Sequence, residues 1–248
     1  MKTKNLFLFL VIFSVQITRS QTYAASNFTM IANIDPEPTF STENEKYSGC
    51  WGWVQKTKNK EYAIACSHTG TYWVDITNPS TPTVCAYRAG ALGDCTWREA
   101  KTYQNYCYVI SDDMGNNSFQ IFDMQYLPDS VHKVYDGTSL FKRGHTLYVD
   151  GDKLYIGSVT YSNNTYSSMD VYGLSNPASP VFIRSLTQDF PSVTGVHDMY
   201  VRHDTVYASC QFQGLYVFKL TTINTFTLLG SLTSYQFSGY NHSSALTP

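Results

Sequence analysis

Three residues each stand ten positions before a recurring tyrosine: Arg98 before Tyr108, His145 before Tyr155 and His197 before Tyr207. His242 fills the same slot in a shorter echo of the motif, Gly239-Tyr-Asn-His-Ser-Ser244. Gathered around one axis, three imidazoles and a guanidinium suit two chemistries. His145, His197 and His242 would hold a divalent metal such as zinc, or they would join Arg98 in gripping an anion. Asp198, next to His197, would orient an imidazole or offer a ligand oxygen. The plainer alternative is that these side chains only hydrogen-bond the carbonyls of a neighbouring segment. Buried polar groups must be satisfied whether or not they meet a ligand.

A unit of about 47 residues, present four times, would have to position them. Its third strand reads Gly70-Thr-Tyr-Trp-Val-Asp75 and runs on through Ile-Thr-Asn-Pro79-Ser-Thr-Pro82. The later copies are Ser118 to Asp123, Ser168 to Gly173 with Asn176-Pro177-Ala-Ser-Pro180 behind it, and Gly214 to Leu220. The equivalent residues Asp75, Asp123, Gly173 and Lys219 lie 48, 50 and 46 positions apart. Inner strands are predicted at 97–103, 145–150 and 197–202. After polar turns, second strands rich in β-branched and aromatic residues follow at 106–111, 154–158 and 206–209. Short strands at this period are the mark of a β-propeller, whose innermost strands surround a central channel. The expected fold class is therefore all-β: a propeller of four-stranded blades, four visible and a fifth begun at 239–244. Residues 27–34 resemble the fourth strand at 225–232 and read as a possible ring-closing strand.

Several other chemistries lack their motifs. There is no GxSxG elbow, no HExxH and no glycine-rich phosphate loop. Ser111-Asp-Asp-Met-Gly-Asn-Asn117 has acids, but not at the alternate positions of a calcium loop, and reads as a tight polar turn. Asp75 and Asp123 are expected to cap the turn that follows them. Trp51, Trp53, Trp73 and Trp97 would either stack sugars or fill the core between blades.

Residues 1–20 carry a basic start, an apolar run from Leu6 to Val15 and Thr18-Arg-Ser20 before Gln21, the layout of a secretory signal peptide. A segment at 21–47 then leads into the incomplete repeats at 48–248. No later apolar run reaches the ~20 residues of a membrane span. Net charge is −2 with 15% charged residues, so nothing favours nucleic acid or anionic lipid as a partner. The six cysteines, an even count in a secreted chain, favour disulfides. Cys50 and Cys95 form one candidate pair and Cys66 and Cys107 another, joining the first two blades, while Cys210 has no evident partner. Sequons at Asn27, Asn116, Asn163 and Asn241 are candidate glycosylation sites.

Taken in order, these motifs resemble the choice-of-anchor B family of secreted LVIVD-repeat proteins. The likeness rests on Tyr47-Ser-Gly-Cys-Trp-Gly-Trp53, Gly70 to Pro79, Thr96-Trp-Arg98, Gln120 to Asp123, His145 to Asp150, Val196-His-Asp198 with Tyr207 to Cys210, and Gly239 to Ser244. It covers residues 27–248. The resemblance implies a propeller with further blades and a variable C-terminal anchor, hence an N-terminal fragment here, and it implies no established activity. The expected role is a secreted, non-enzymatic binding or surface-display module that holds an extracellular protein or glycan. Two alternatives stay open: a metal-dependent hydrolase or lyase working at the axial histidines, and a structural protein of matrix or cell wall.

Overall fold

The computed structural model describes residues 28–113, 115 and 117–247. Its contacts divide the chain at residue 31; the described part of the first unit, 28–31, is irregular, and all that follows concerns the unit from Ala32 onward. The leader and the sequons at Asn27 and Asn116 lie outside the described residues.

Four antiparallel four-stranded sheets follow one another, each a simple meander. The first holds β1 (Tyr47–Gln55), β2 (Lys60–Ser67), β3 (Gly70–Asp75) and β4 (Thr83–Ala89). The second holds β5 (Arg98–Tyr103), β6 (Tyr106–Ser111), β7 (Phe119–Asp123) and β8 (His132–Gly137). The third holds β9 (Thr146–Asp150), β10 (Lys153–Thr160), β11 (Tyr166–Gly173) and β12 (Val181–Ser185). The fourth holds β13 (Asp198–Arg202), β14 (Thr205–Ser209), β15 (Leu215–Leu220) and β16 (Phe226–Leu232). Among the described residues helix is confined to one turn at Lys56–Lys58 and α1 (Leu186–Asp189).

Local chemistry explains the meanders. Asp75 and Asp123 each accept the backbone N–H two residues on, at 2.9 Å, and Asn78 and Asn176 do the same for Ser80 and Ala178. These Asx turns end the third strand and aim the chain back along the fourth. In all four sheets the pairing of third and fourth strands slips at the same place: after Trp73, Ile121, Val171 and Val217. A bulge repeated at one position adds twist to each sheet's outer edge. That lets successive sheets pack at an angle instead of lying flat.

Strand periodicity then sends alternate residues to opposite faces. On β6, Cys107 and Val109 enter the core shared with the first sheet, whereas Tyr108 and Ile110 enter the core shared with the third. A third core, containing Tyr155, Val171, Val206 and Phe218, joins the third and fourth sheets. No such core joins the fourth sheet to the first among the described residues, so a closed ring is not formed within them.

Two expectations need correction. Residues 28–34 form no strand, and Phe28, Met30 and Ile31 are exposed. Each sheet takes all four strands from its own repeat. All six cysteines are unpaired thiols, so neither Cys50–Cys95 nor Cys66–Cys107 forms a bridge. Cys50 is exposed on β1 whereas Cys95 is sealed in the loop before β5. Cys66 and Cys107 sit on the second strands of adjacent sheets and both enter the core between them as free thiols. Burial pushes the Cys66 thiol up to about 12, which makes it a packing group and a poor nucleophile.

Candidate functional site

The first strands of successive sheets, β1, β5, β9 and β13, lie side by side. Their leading ends frame a cavity of about 330 Å³. Ser48 and Gly49 line it from β1, and Trp97, Arg98 and Glu99 from the head of β5. His145 and Thr146 come from the head of β9, His197 and Asp198 from that of β13, and His242 from beyond β16. The equal ten-residue offset thus ends at one place, because each sheet delivers its first strand in the same register.

The members differ in what they do there. Arg98 is 3% exposed; its Nε donates to Ser67 O at 3.1 Å and its Nη2 to Leu92 O at 2.9 Å. Its backbone N–H donates to Ser48 Oγ, which in turn donates to Arg98 O. Arg98 is therefore a clamp joining β1, the end of β2 and the 90s loop, the carbonyl-bonding role that its type also suited.

The histidines pack against one another. The His145 and His197 rings lie 4.2 Å apart at 32°, and those of His197 and His242 lie 4.3 Å apart at 72°. His145 Nδ1 pairs with Asp112 Oδ2, and His197 Nδ1 meets Tyr240 Oη at 2.9 Å. With Nδ1 of His145 and of His197 turned to other partners, those two nitrogens are not free for a shared ion. Among the described residues no group of three or more His, Cys, Asp or Glu is placed to hold a metal ion, so the metal set His145, His197 and His242 is set aside. Asp198 accepts from Met199 N at 2.7 Å and from Thr146 Oγ1 at 3.3 Å, and thereby stays in the cavity wall.

His145 and His197 also line a second cavity of about 370 Å³, with Asp112, Arg143, Tyr166, Gln211 and Tyr240 among its other walls. The pair is thus a partition between two chambers. Asp112 and Tyr240 carry little signal in the sequence. Asp112 lies in what reads as a polar turn, yet that turn sits across from the start of β5, where Asp112 N donates to Trp97 O. Of the four tryptophans, Trp53 and Trp73 are core, whereas Trp51 and Trp97 are 39% and 51% exposed. Trp51 has Lys101 Nζ over its ring at 4.4 Å, which leaves Trp97, at the first cavity, with the freer face. Asn163 is exposed in a turn; Asn241 is half-buried, its Oδ1 sealed without a partner.

The two adjacent imidazoles titrate in opposite directions. Burial opposes charge on His145, but the Asp112 hydrogen bond and the charges of Asp112, Glu99 and Asp198 outweigh it and raise the pKa. His197 falls to about 4, through burial and then the positive His145 and His242, against weaker opposition from Asp198 and Asp112. An unfolded histidine titrates near 6.5. Between pH 6.5 and about 4 the unfolded chain therefore binds the His197 proton better than the folded one, and stability falls as pH drops through that window. His145 acts oppositely: its contribution is complete below pH 6.5 and is lost as pH rises through its elevated folded value. The His197 shift at full strength is about 3 kcal/mol, and solvent at the cavity screens it to about 1 kcal/mol. Denaturant midpoints at pH 7 and pH 4.5 should show H197Q losing less stability on acidification than the unsubstituted chain. A loss equal in both would contradict the assignment.

No family model matches the chain, and no curated protein matches it. Solved structures do resemble it. A Bacteroides uniformis protein provisionally described as a 6-phosphogluconolactonase aligns with a TM-score of 0.55 at 10% identity, over 77% of this chain and 56% of that one. A functionally unknown protein from Desulfotomaculum acetoxidans aligns with a TM-score of 0.49 at 14% identity, over 83% and 74%. The N-terminal domain of Nup159 gives 0.45 at 12% identity, over 80% and 53%. This chain thus spans little more than half the length of the first and third, and at 10% identity the likeness to the first is one of fold.

Proposed function

We propose that the four sheets are blades of a larger β-propeller, secreted and acting as a binding module, whose axial cavity takes a neutral, polyhydroxylated ligand of sugar type. The observation that carries this reading is the charge arrangement around the cavity. Arg98 is committed to carbonyls, Glu99 is paired with Lys101 and His145 with Asp112. A phosphate or other strong anion would find no uncommitted cation pair to replace its hydration. Hydroxyl groups need less: acceptors on Asp198 and Glu99, donors on the imidazoles, and an aromatic face for the C–H side of a sugar ring, which Trp97 offers at the mouth. The meander order, the adjacent first strands and the three successive cores support the propeller. Secretion rests on the leader at 1–20, and an extracellular glycan is the natural source of such a ligand.

Saturation-transfer NMR with neutral hexoses and N-acetylhexosamines tests the reading. At least one sugar should bind, and W97A should weaken it about tenfold, the equivalent of an aromatic contact worth about 1–1.5 kcal/mol. Binding by none, or binding indifferent to W97A, would defeat it.

A further inference from the structure

His145 and His197 hold the same kind of ring in two different settings at one cavity wall. Each is oriented through Nδ1, the first by the Asp112 carboxylate and the second by the Tyr240 hydroxyl. Neither Nε2 has a hydrogen-bond partner among the described residues, and neither is sealed from solvent. With ring centroids 4.2 Å apart, both nitrogens can reach adjacent oxygens of one small molecule. The carboxylate on one side favours a ring that carries a proton to give away. An adjacent ring that is already cationic favours a second ring that has none.

We propose that this histidine pair catalyses interconversion of the anomers of a bound reducing sugar, with His197 as base and His145 as acid. This rests on the sugar-binding reading above and adds a reaction to it. His197 Nε2 takes the proton of the anomeric hydroxyl while His145 Nε2–H gives its own to the ring oxygen. The C1–O5 bond breaks, its electron pair going to the ring oxygen, and the O–H electron pair forms the aldehyde C=O. Rotation about C1–C2 and the reverse transfers close the ring to either anomer and return both protons. No water, electron or co-reactant enters, so the step balances with the groups present. It requires His197 Nδ1–H to donate to Tyr240 Oη, leaving Nε2 unprotonated. The opposed titration of the two rings suits this division, since one is an acid and the other a free base over the same pH range. Asp112, Glu99, Asp198 and His242 are the charged or titratable groups that set this difference.

The test follows freshly dissolved α-D-glucose, α-D-galactose and N-acetyl-α-D-glucosamine by polarimetry and exchange NMR at low buffer concentration. At least one should equilibrate faster with the protein than in buffer. H145Q and H197Q should each lose that acceleration by roughly 100-fold or more, measured at saturating sugar, while the folded circular dichroism spectrum persists. The rate should fall on the acid side as His197 protonates and on the alkaline side as His145 loses its proton. Sugar that binds but anomerises only at the buffer rate would overturn the reaction and leave the binding site standing; no binding would remove both. Acceleration unchanged in both variants would overturn the assignment to this pair.

Discussion

Replacing Trp73 with alanine should lower stability by about 3–5 kcal/mol, the largest effect expected of any single substitution here. Trp73 is 0% exposed on β3 and meets Phe122 of the second sheet edge-on, with centroids 5.1 Å apart at 71°. Its indole N–H points at Met124 Sδ at 3.1 Å. Neighbours fixed in two different sheets cannot collapse together into the space left behind, so a cavity term adds to the lost burial. Among the described residues the first sheet shares this one core and has no other sheet core behind it, so W73A should also let it open before the remaining three. W73F should keep most of the contact and cost far less. Urea denaturation followed by circular dichroism checks both. A W73A loss under about 1 kcal/mol would mean the first sheet is held by something else.

That core was legible because its residues repeat. The Trp73, Ile121, Val171 and Val217 positions recur at one period, and alternation in β6 assigns Cys107 and Val109 to one side and Tyr108 and Ile110 to the other. The ends of inner strands were legible for the same reason: a constant offset of Arg98, His145 and His197 from a strand tyrosine becomes a constant depth once strands stand side by side. What the offset does not carry is side-chain direction. Nothing in the spacing says that Arg98 turns back to the carbonyls of Ser67 and Leu92 while His145 faces the cavity. The partners are equally silent. Asp112 belongs to a polar turn and Tyr240 to the short motif echo around His242, and neither occupies the repeated slot, so only the approach of those segments to the strand heads gives them a role. The recurring bulge also escapes a reading by composition, because a glycine, Gly230, stands at it in only one sheet. Tryptophan, isoleucine and valine precede the slip, so it arises from pairing geometry shared by the repeats.

Arginine 98 provides the second large effect. R98A should cost about 3 kcal/mol, since it leaves the Ser67 and Leu92 carbonyls without donors of charge-assisted strength, each such bond being worth about 1.5–3 kcal/mol before the relieved desolvation of the cation is subtracted. R98K should recover little, because one ammonium does not reproduce a planar fork reaching two separate carbonyls. The loop at Gly90 supplies a check on the mechanism. A Cβ at Gly90 would lie 2.3–2.5 Å from the guanidinium atoms, so G90A alone must displace the Arg98 head and break its bonds. G90A should therefore cost about 1–3 kcal/mol in the unsubstituted chain and almost nothing once R98A has vacated the space. The double-mutant cycle separates a clamp from a merely buried charge. Strict additivity of G90A and R98A would show that the guanidinium does not hold the 90s loop, and the cavity wall formed by Trp97 would then need another support.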